Sequence, residues 1–191
     1  NGKLDNTLIV YTSDHGHMNG HHGLYGKGNA TIPQNFYQES MSIPMFMRWP
    51  EGIAQSNYKV TIPVNQCDLF TTFLDAARVA LPDTTLQKVN SPGKSLLPYL
   101  NGVQKEWKAY QYAEFGNARM IANEQFKLIV RYPPLKEGFG NEFFDLQKDS
   151  RETSNLIEET EYQVVINQME RELKTYFARY ETAEYTVTNL N

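Results

Sequence analysis

Thr7-Leu8-Ile9-Val10-Tyr11-Thr12-Ser13-Asp14-His15-Gly16 is the stretch from which the rest of the chain is read. Its first six residues are β-branched or apolar with no polar alternation, the pattern of a strand buried on both faces of a parallel sheet. Ser13-Asp14-His15-Gly16 follows at once. Ligands of open α/β sheets gather just beyond the carboxyl ends of the strands, so Asp14 and His15 are candidate site residues on physical grounds alone.

Working outward, residues 16–33 contain five glycines and read as a long irregular loop, which in a compact domain is usually functional or mobile. Pro44-Met45-Phe46-Met47-Arg48-Trp49-Pro50 reads as a second strand bracketed by prolines, and residues 68–79 as a helix with Leu69, Phe70, Phe73, Leu74 and Ala77 on one face. Residues 82–107 carry turn signals at Leu81-Pro82-Asp83, Ser91-Pro92-Gly93 and Leu100-Asn101-Gly102. They are expected to be connecting structure with one short helix near 95–100.

A boundary is expected near residue 105, giving segments 1–105 and 106–191. Past it, 109–115, 126–132 and 142–146 are strand-like and separated by polar or Gly/Pro-containing pieces, which predicts a small antiparallel sheet. Across 161–180, Tyr162, Val165, Ile166, Met169, Leu173, Tyr176, Phe177 and Tyr180 recur at helical spacing. Such a stripe predicts a helix with one face packed on that sheet.

The 191 residues, 40% of them hydrophobic, suffice for a buried core. Acidic residues outnumber basic ones, 22 to 18, and the basic residues form no run or stripe, so no nucleic-acid partner is expected. No apolar run approaches the ~20 residues needed to span a bilayer. The opening Asn1-Gly2-Lys3-Leu4 is neither a signal peptide nor an initiator Met, so a true N-terminus is expected to lie upstream. Cys67 is the only cysteine; within Val64-Asn65-Gln66-Cys67-Asp68-Leu69-Phe70 it is expected to be a buried structural thiol at the start of a helix.

All four histidines fall between residues 15 and 22. Histidine and carboxylate together after a strand suit a metal. Alternatively they bind an anion with Lys27, which lies between Gly26 and Gly28, where glycines let backbone amides and the ammonium approach an oxyanion closely. The third reading is a hydrated surface loop, which fits His17 and His21 taken singly. A zinc site is disfavoured, because the spacing matches no HExxH or Cys/His pattern.

Thr12-Ser13-Asp14-His15-Gly16, then Gly20-His21-His22-Gly23-Leu24-Tyr25-Gly26-Lys27-Gly28, then Glu39 and Ile43 to Pro50 resemble the second half of a sulfatase of the alkaline-phosphatase superfamily. The resemblance continues through residues 64–72, 93–100 and Phe143-Phe144-Asp145-Leu146 to Leu156, with motif order kept to about residue 158. It implies the C-terminal part of an α/β, mostly parallel-sheet domain plus a small antiparallel sheet packed on a long C-terminal helix.

By the same resemblance, Asp14 and His15 take metal-ligand roles toward a divalent cation, calcium in the family's usual case. Asp14 supplies the hard oxygen such an ion prefers, and His15 is the weaker half of the pair. Lys27 matches the lysine that contacts a sulfate oxygen and takes a catalytic, charge-stabilising role; His22 is a candidate contact to substrate or leaving group.

The family's nucleophile is a formylglycine made in a Cys/Ser-x-Pro-x-Arg motif. Neither Cys67-Asp68-Leu69-Phe70-Thr71 nor Ser42-Ile43-Pro44-Met45-Phe46 fits that motif, so the nucleophile is expected in a missing N-terminal part. The resemblance implies hydrolysis of sulfate monoesters of a sulfated carbohydrate, an extracytoplasmic location, and an oligomer or neighbouring chain covering a truncated sheet edge. The 191 residues alone are expected to be inactive. Two alternatives stay open: a phosphoryl or phosphonate ester hydrolase of the same superfamily, and a non-catalytic binding domain. Asn29-Ala30-Thr31 also forms a glycosylation sequon.

Overall fold

A computed structural model describes residues 2–133, 135, 137 and 139–182. The described residues fall into two compact units, each assembled from two stretches of chain: 1–12 with 44–109, and 13–43 with 110 onward. Residues 13–43, grouped by the sequence reading with the first segment, cluster with the second unit.

In the first unit, β1 (Ile9–Thr12) pairs antiparallel with β2 (Met45–Arg48), with Val10 opposite Met47 and Tyr11 opposite Phe46. The expectation of a parallel strand buried on both faces is corrected for this element. Burial alternates along β1, and Tyr11 and Phe46 are 66% and 67% exposed. An unbroken apolar run does not by itself say that both faces are covered, and among the described residues β1 has β2 as its sole sheet neighbour.

The helix α2 (Gln66–Ala76) begins at Asn65 with a capping box, in which the Asn65 side chain takes helix-start N–H groups and Asp68 returns a bond to the Asn65 N–H at 2.9 Å. Asp68, fully buried, also accepts from the Lys94 N–H at 2.7 Å and from the Lys108 ammonium. The buried carboxylate thus ties a helix start, a loop and a distant lysine together, satisfying its oxygens as burial demands. Cys67, by contrast, is exposed, which corrects the expected buried thiol. The cap geometry turns the inward register onto Asp68, one residue later. At Gly93 a Cβ would lie 2.0 Å from the Cys67 carbonyl oxygen, so only glycine permits this approach. The segment read as connecting structure contains a second helix, α3 (Asp83–Val89), before the expected short one, α4 (Leu97–Leu100).

The second unit is built on a four-stranded antiparallel meander, β3 (Gln111–Phe115), β4 (Ala118–Ala122), β5 (Phe126–Arg131) and β6 (Glu142–Asp145), in chain order. One face, with Ile121, Leu128, Val130 and Phe143, packs on Tyr162, Ile166, Met169 and Leu173 of the final helical segment, a 3-10 turn at Thr160–Tyr162 continuing into α5 (Gln163–Phe177). The aromatic stripe is therefore core. The opposite face carries Ala118, Met120, Ile129 and Phe144 against Phe36 of the 13–43 segment. Alternate strand residues point to opposite faces, so a sheet covered on both sides loses polar alternation.

The expected three strands are four. β4 was hidden because Arg119 interrupts its apolar run, yet that guanidinium is 5% exposed and paired with Glu114 and Glu181, each at 2.6 Å, beneath the Phe177 ring. Lys127 in β5 is buried likewise, against Glu152 at 2.5 Å, and donates to the Phe36 carbonyl at 2.8 Å. Burial drives the Lys127 ammonium pKa down against the pull of Glu152. No described helix is long and apolar enough to cross a membrane.

Candidate functional site

The 13–43 segment is irregular but closely bonded to itself. The Gly16 N–H donates to Ser40 O at 3.0 Å, Met18 N–H to Gly26 O at 2.7 Å, and Asn35 N–H to Gly28 O at 2.9 Å. Gly16 is required for the first closure, since a Cβ there would lie 2.0 Å from Glu39 O. Met18 is wholly buried as the loop's own anchor. Beneath it, the Arg131 guanidinium holds Gln34 O at 3.1 Å and Glu152 accepts the Gln38 N–H at 2.6 Å. The sheet thereby fixes the short helix α1 (Gln38–Met41) and the loop around it.

Asp14 and His15 come together at the mouth of this loop. His15 Nε2 lies 3.4 Å from Asp14 Oδ2, and His15 Nδ1 is 2.8 Å from Gly16 O. The Asp14 carboxylate is 82% exposed. Its slight desolvation, which would raise its pKa, is outweighed by the neighbouring imidazole and by N–H and hydroxyl donors from residues 13–15, so its pKa sits below the ordinary value. Two donors 3.4 Å apart can both lie about 2.4 Å from one cation at near a right angle, so the pair fits as two corners of a coordination sphere. A calcium-type ion wants roughly six to eight oxygens, and among the described residues no third His, Cys, Asp or Glu completes a metal cluster.

Lys27 is exposed and carries no ion pair among the described residues. Its own carbonyl accepts the Ala30 N–H at 2.8 Å, which sets the local turn and leaves the ammonium available as a point charge. Among the described residues His17 bonds only within its turn, with Asn19 Oδ1 at 3.0 Å and the Asn19 N–H at 3.3 Å.

His21 and His22 form a second cluster that the sequence reading did not assemble. A 3-10 turn at His21–Gly23 with His22 at φ 55° aims both rings at Glu39. His21 Nδ1 is 3.0 Å from Glu39 Oε1, while His22 Nε2 is 3.9 Å from Oε2, beyond hydrogen-bond reach. The His22 ring is largely covered, at 15% exposure, and stacks on Tyr37 with centroids 3.8 Å apart. Desolvation, reinforced by the carboxylates of Glu142, Glu152 and Glu39, pushes the Tyr37 phenol pKa up. Glu39, Arg151 and Thr153 join Asn19, His21 and His22 around an open cleft of about 400 Å³. Arg151 was not legible as a site residue, since nothing in the sequence brings position 151 to position 22.

Residues 20–179 match the family described as N-sulphoglucosamine sulphohydrolase, C-terminal. The chain is 33% identical over 173 residues to an N-acetylglucosamine-6-O-sulfatase of Bacteroides thetaiotaomicron, covering 84% of this chain and 28% of that protein. A solved structure described as a complex with its substrate D-glucosamine-2-N,6-O-disulfate aligns with TM-score 0.70 and 29% identity, over 94% of this chain and 35% of that one. A phosphonate monoester hydrolase of Agrobacterium radiobacter shares the fold, with TM-score 0.74 at 23% identity over 94% of this chain and 36% of that one. The chain thus spans about a third of the length of the relatives it matches. With its α/β architecture, its four-stranded sheet against a C-terminal helix and its match over residues 20–179, the chain belongs to the sulfatase family of the alkaline-phosphatase superfamily.

Proposed function

We propose that this chain forms the C-terminal part of an enzyme that hydrolyses sulfate monoesters of a sulfated carbohydrate. The observation that carries the reading is an Asp14–His15 pair, 3.4 Å apart, on the same loop as Lys27, which makes no ion pair among the described residues, in a chain that belongs to the sulfatase family. The relatives' named substrates, a glucosamine sulfate among them, supply the carbohydrate.

Asp14 and His15 would hold a divalent cation, calcium by the family's habit, together with oxygen ligands from outside these residues. When bound, that cation offsets sulfate charge. Lys27 places its ammonium against a sulfate oxygen, where it stabilises charge that grows as the ester bond breaks. His22, held by its stack on Tyr37, contacts the substrate or its leaving group. The formylglycine nucleophile that the family uses lies outside the 191 residues. The isolated chain is therefore proposed to be inactive, and the intact enzyme to work outside the cytoplasm.

The test uses the full-length polypeptide on N-acetylglucosamine 6-sulfate. Lys27→Ala should lower kcat/KM by about 10²–10³-fold, the usual cost of losing one preorganised charge-stabilising donor. An unchanged rate would remove Lys27 from the site. Faster turnover of phosphonate monoesters than of sulfate esters would favour the phosphonate reading, and no turnover of either, with tight sugar binding, a binding domain.

A further inference from the structure

The cleft lined by Asn19, His21, His22, Glu39, Arg151 and Thr153 has a construction that the sulfate-binding roles of Asp14, His15 and Lys27 do not use. One wall is the histidine turn. Glu39, 20% exposed, lies against it, with Oε1 3.0 Å from His21 Nδ1. Glu39 Oε2, 3.9 Å from His22 Nε2, is buried with no hydrogen-bond partner among the described residues.

The other wall is the turn 149–154. Asp149 accepts from the N–H groups of Arg151, Thr153 and Ser154 at 3.3, 2.7 and 2.9 Å. Between Arg151 and Thr153, Glu152 takes a left-handed φ of 54° and turns fully inward to Lys127. Pinning Glu152 inward turns its two neighbours outward, and both are exposed. The Arg151 guanidinium makes no ion pair among the described residues. The cleft therefore presents, beside the Glu39 carboxylate, a planar cation without an ion pair among the described residues, on a backbone fixed by bonds that cost nothing further on binding, and a guanidinium suits the two oxygens of a sulfate or carboxylate. Its volume, about 400 Å³, falls in the range of small-ligand pockets.

We propose that this cleft is a subsite for a second anionic substituent of the sugar, a sulfate or a carboxylate, with Arg151 as the residue that reads it. The inference rests on the sulfatase reading and deepens it by naming the substrate class: sugars carrying a further negative group beside the ester that is cleaved. His21 completes the lining, and the Thr153 hydroxyl, which donates to Asp149, keeps its lone pairs as acceptors for adjacent sugar hydroxyls.

The experiment compares paired substrates on the full-length polypeptide. One arm sets glucosamine 2-N,6-O-disulfate against glucosamine 6-O-sulfate; the other sets a sulfated uronate-containing disaccharide against its uronate methyl ester. For the anion that the cleft takes, Arg151→Ala should lower the kcat/KM preference for the doubly charged member by about tenfold or more, the scale of a lost charge-assisted bond. Arg151→Lys should recover part of that preference. The arm that responds identifies the anion as sulfate or carboxylate. A preference unchanged in both arms, with the variants melting like the parent, overturns the subsite.

Direct binding separates this outcome from failure of the sulfatase reading. If no sulfate ester is turned over, glucosamine 2-N-sulfate and glucuronate are titrated calorimetrically into parent and Arg151→Ala. Weaker binding of either to the variant by about tenfold upholds the subsite while the enzyme reading falls. Equal affinity overturns the subsite itself.

Discussion

Asp149 is a surface carboxylate that organises the turn bearing Arg151. Its small desolvation is outweighed by N–H donors from Ser154, Thr153 and Arg151 and by the Thr153 hydroxyl, so its pKa lies below the ordinary value of 3.8. A carboxylate depressed in the folded state stabilises that state fully above its unfolded pKa and loses the contribution as pH falls through the folded one. The turn should therefore stay intact above pH 4 or so and loosen below the unfolded value of 3.8. Amide shifts of Thr153 and Ser154 followed by NMR would track it, and Asp149→Asn should abolish the acid transition. An acid transition at those amides that persists in Asp149→Asn would show that another group holds the turn.

At the scale of elements, the 13–43 loop is held to the sheet by buried ions as much as by apolar contact. Lys127 and Glu152 are 1% and 2% exposed, and between them they hold Phe36 O and Gln38 N–H. Removing one partner of a buried pair strands the other, at a cost of about 3–5 kcal/mol. Lys127→Met should destabilise the protein by that order in a denaturant titration, and the double variant Lys127→Met, Glu152→Leu should recover much of it. If the double variant is worse than either single one, the pair contributes net stability rather than registry. Gly16→Ala probes the same loop from its other end: with the Glu39 carbonyl in the way, a cost of about 1–3 kcal/mol is expected from strain.

These elements also mark how far the sequence could be read. The helix α5 was legible because its apolar positions keep one period and one face, ending in a core where Met169 and Leu173 are wholly buried. The strand β4 was not, because the partners that neutralise Arg119 stand five residues before it and 62 after it. Asp14 and His15 could be picked out by their position just after a strand. The approach of Glu39 to His21 could not, since the loop closure from Gly16 to Ser40 brings residue 39 to residue 21. Arg151 arrives from farther still, through the inward turn of Glu152.

At the scale of the whole molecule, the chain threads between its two units, with 13–43 belonging to the unit completed by residues beyond 109. The candidate ligands on that loop thus depend on bonds that tie it to the sheet 91 and 97 residues further along the chain. Phe36, at 2% exposure, packs on Met120, Ile129 and Phe144; Gln34 O and Phe36 O are held by Arg131 and Lys127. A fragment ending at residue 109 lacks every one of these partners. The loop's internal hydrogen bonds alone must then offset the entropy of ordering some thirty residues, at about 1–2 kcal/mol of backbone entropy each, and they contribute only about 0.5–1.5 kcal/mol apiece. In fragment 1–109, the amides of Gly16, Met18 and Ser40 should therefore lose protection from hydrogen exchange, while in the 191-residue chain they exchange slowly. Asp14, His15 and Lys27 would then share no fixed geometry, so the sheet that follows residue 109 supports the site by holding its loop, whatever it contributes to substrate contact. Slow exchange at Met18 and Ser40 in the short fragment would sink this account and make the loop a self-sufficient unit.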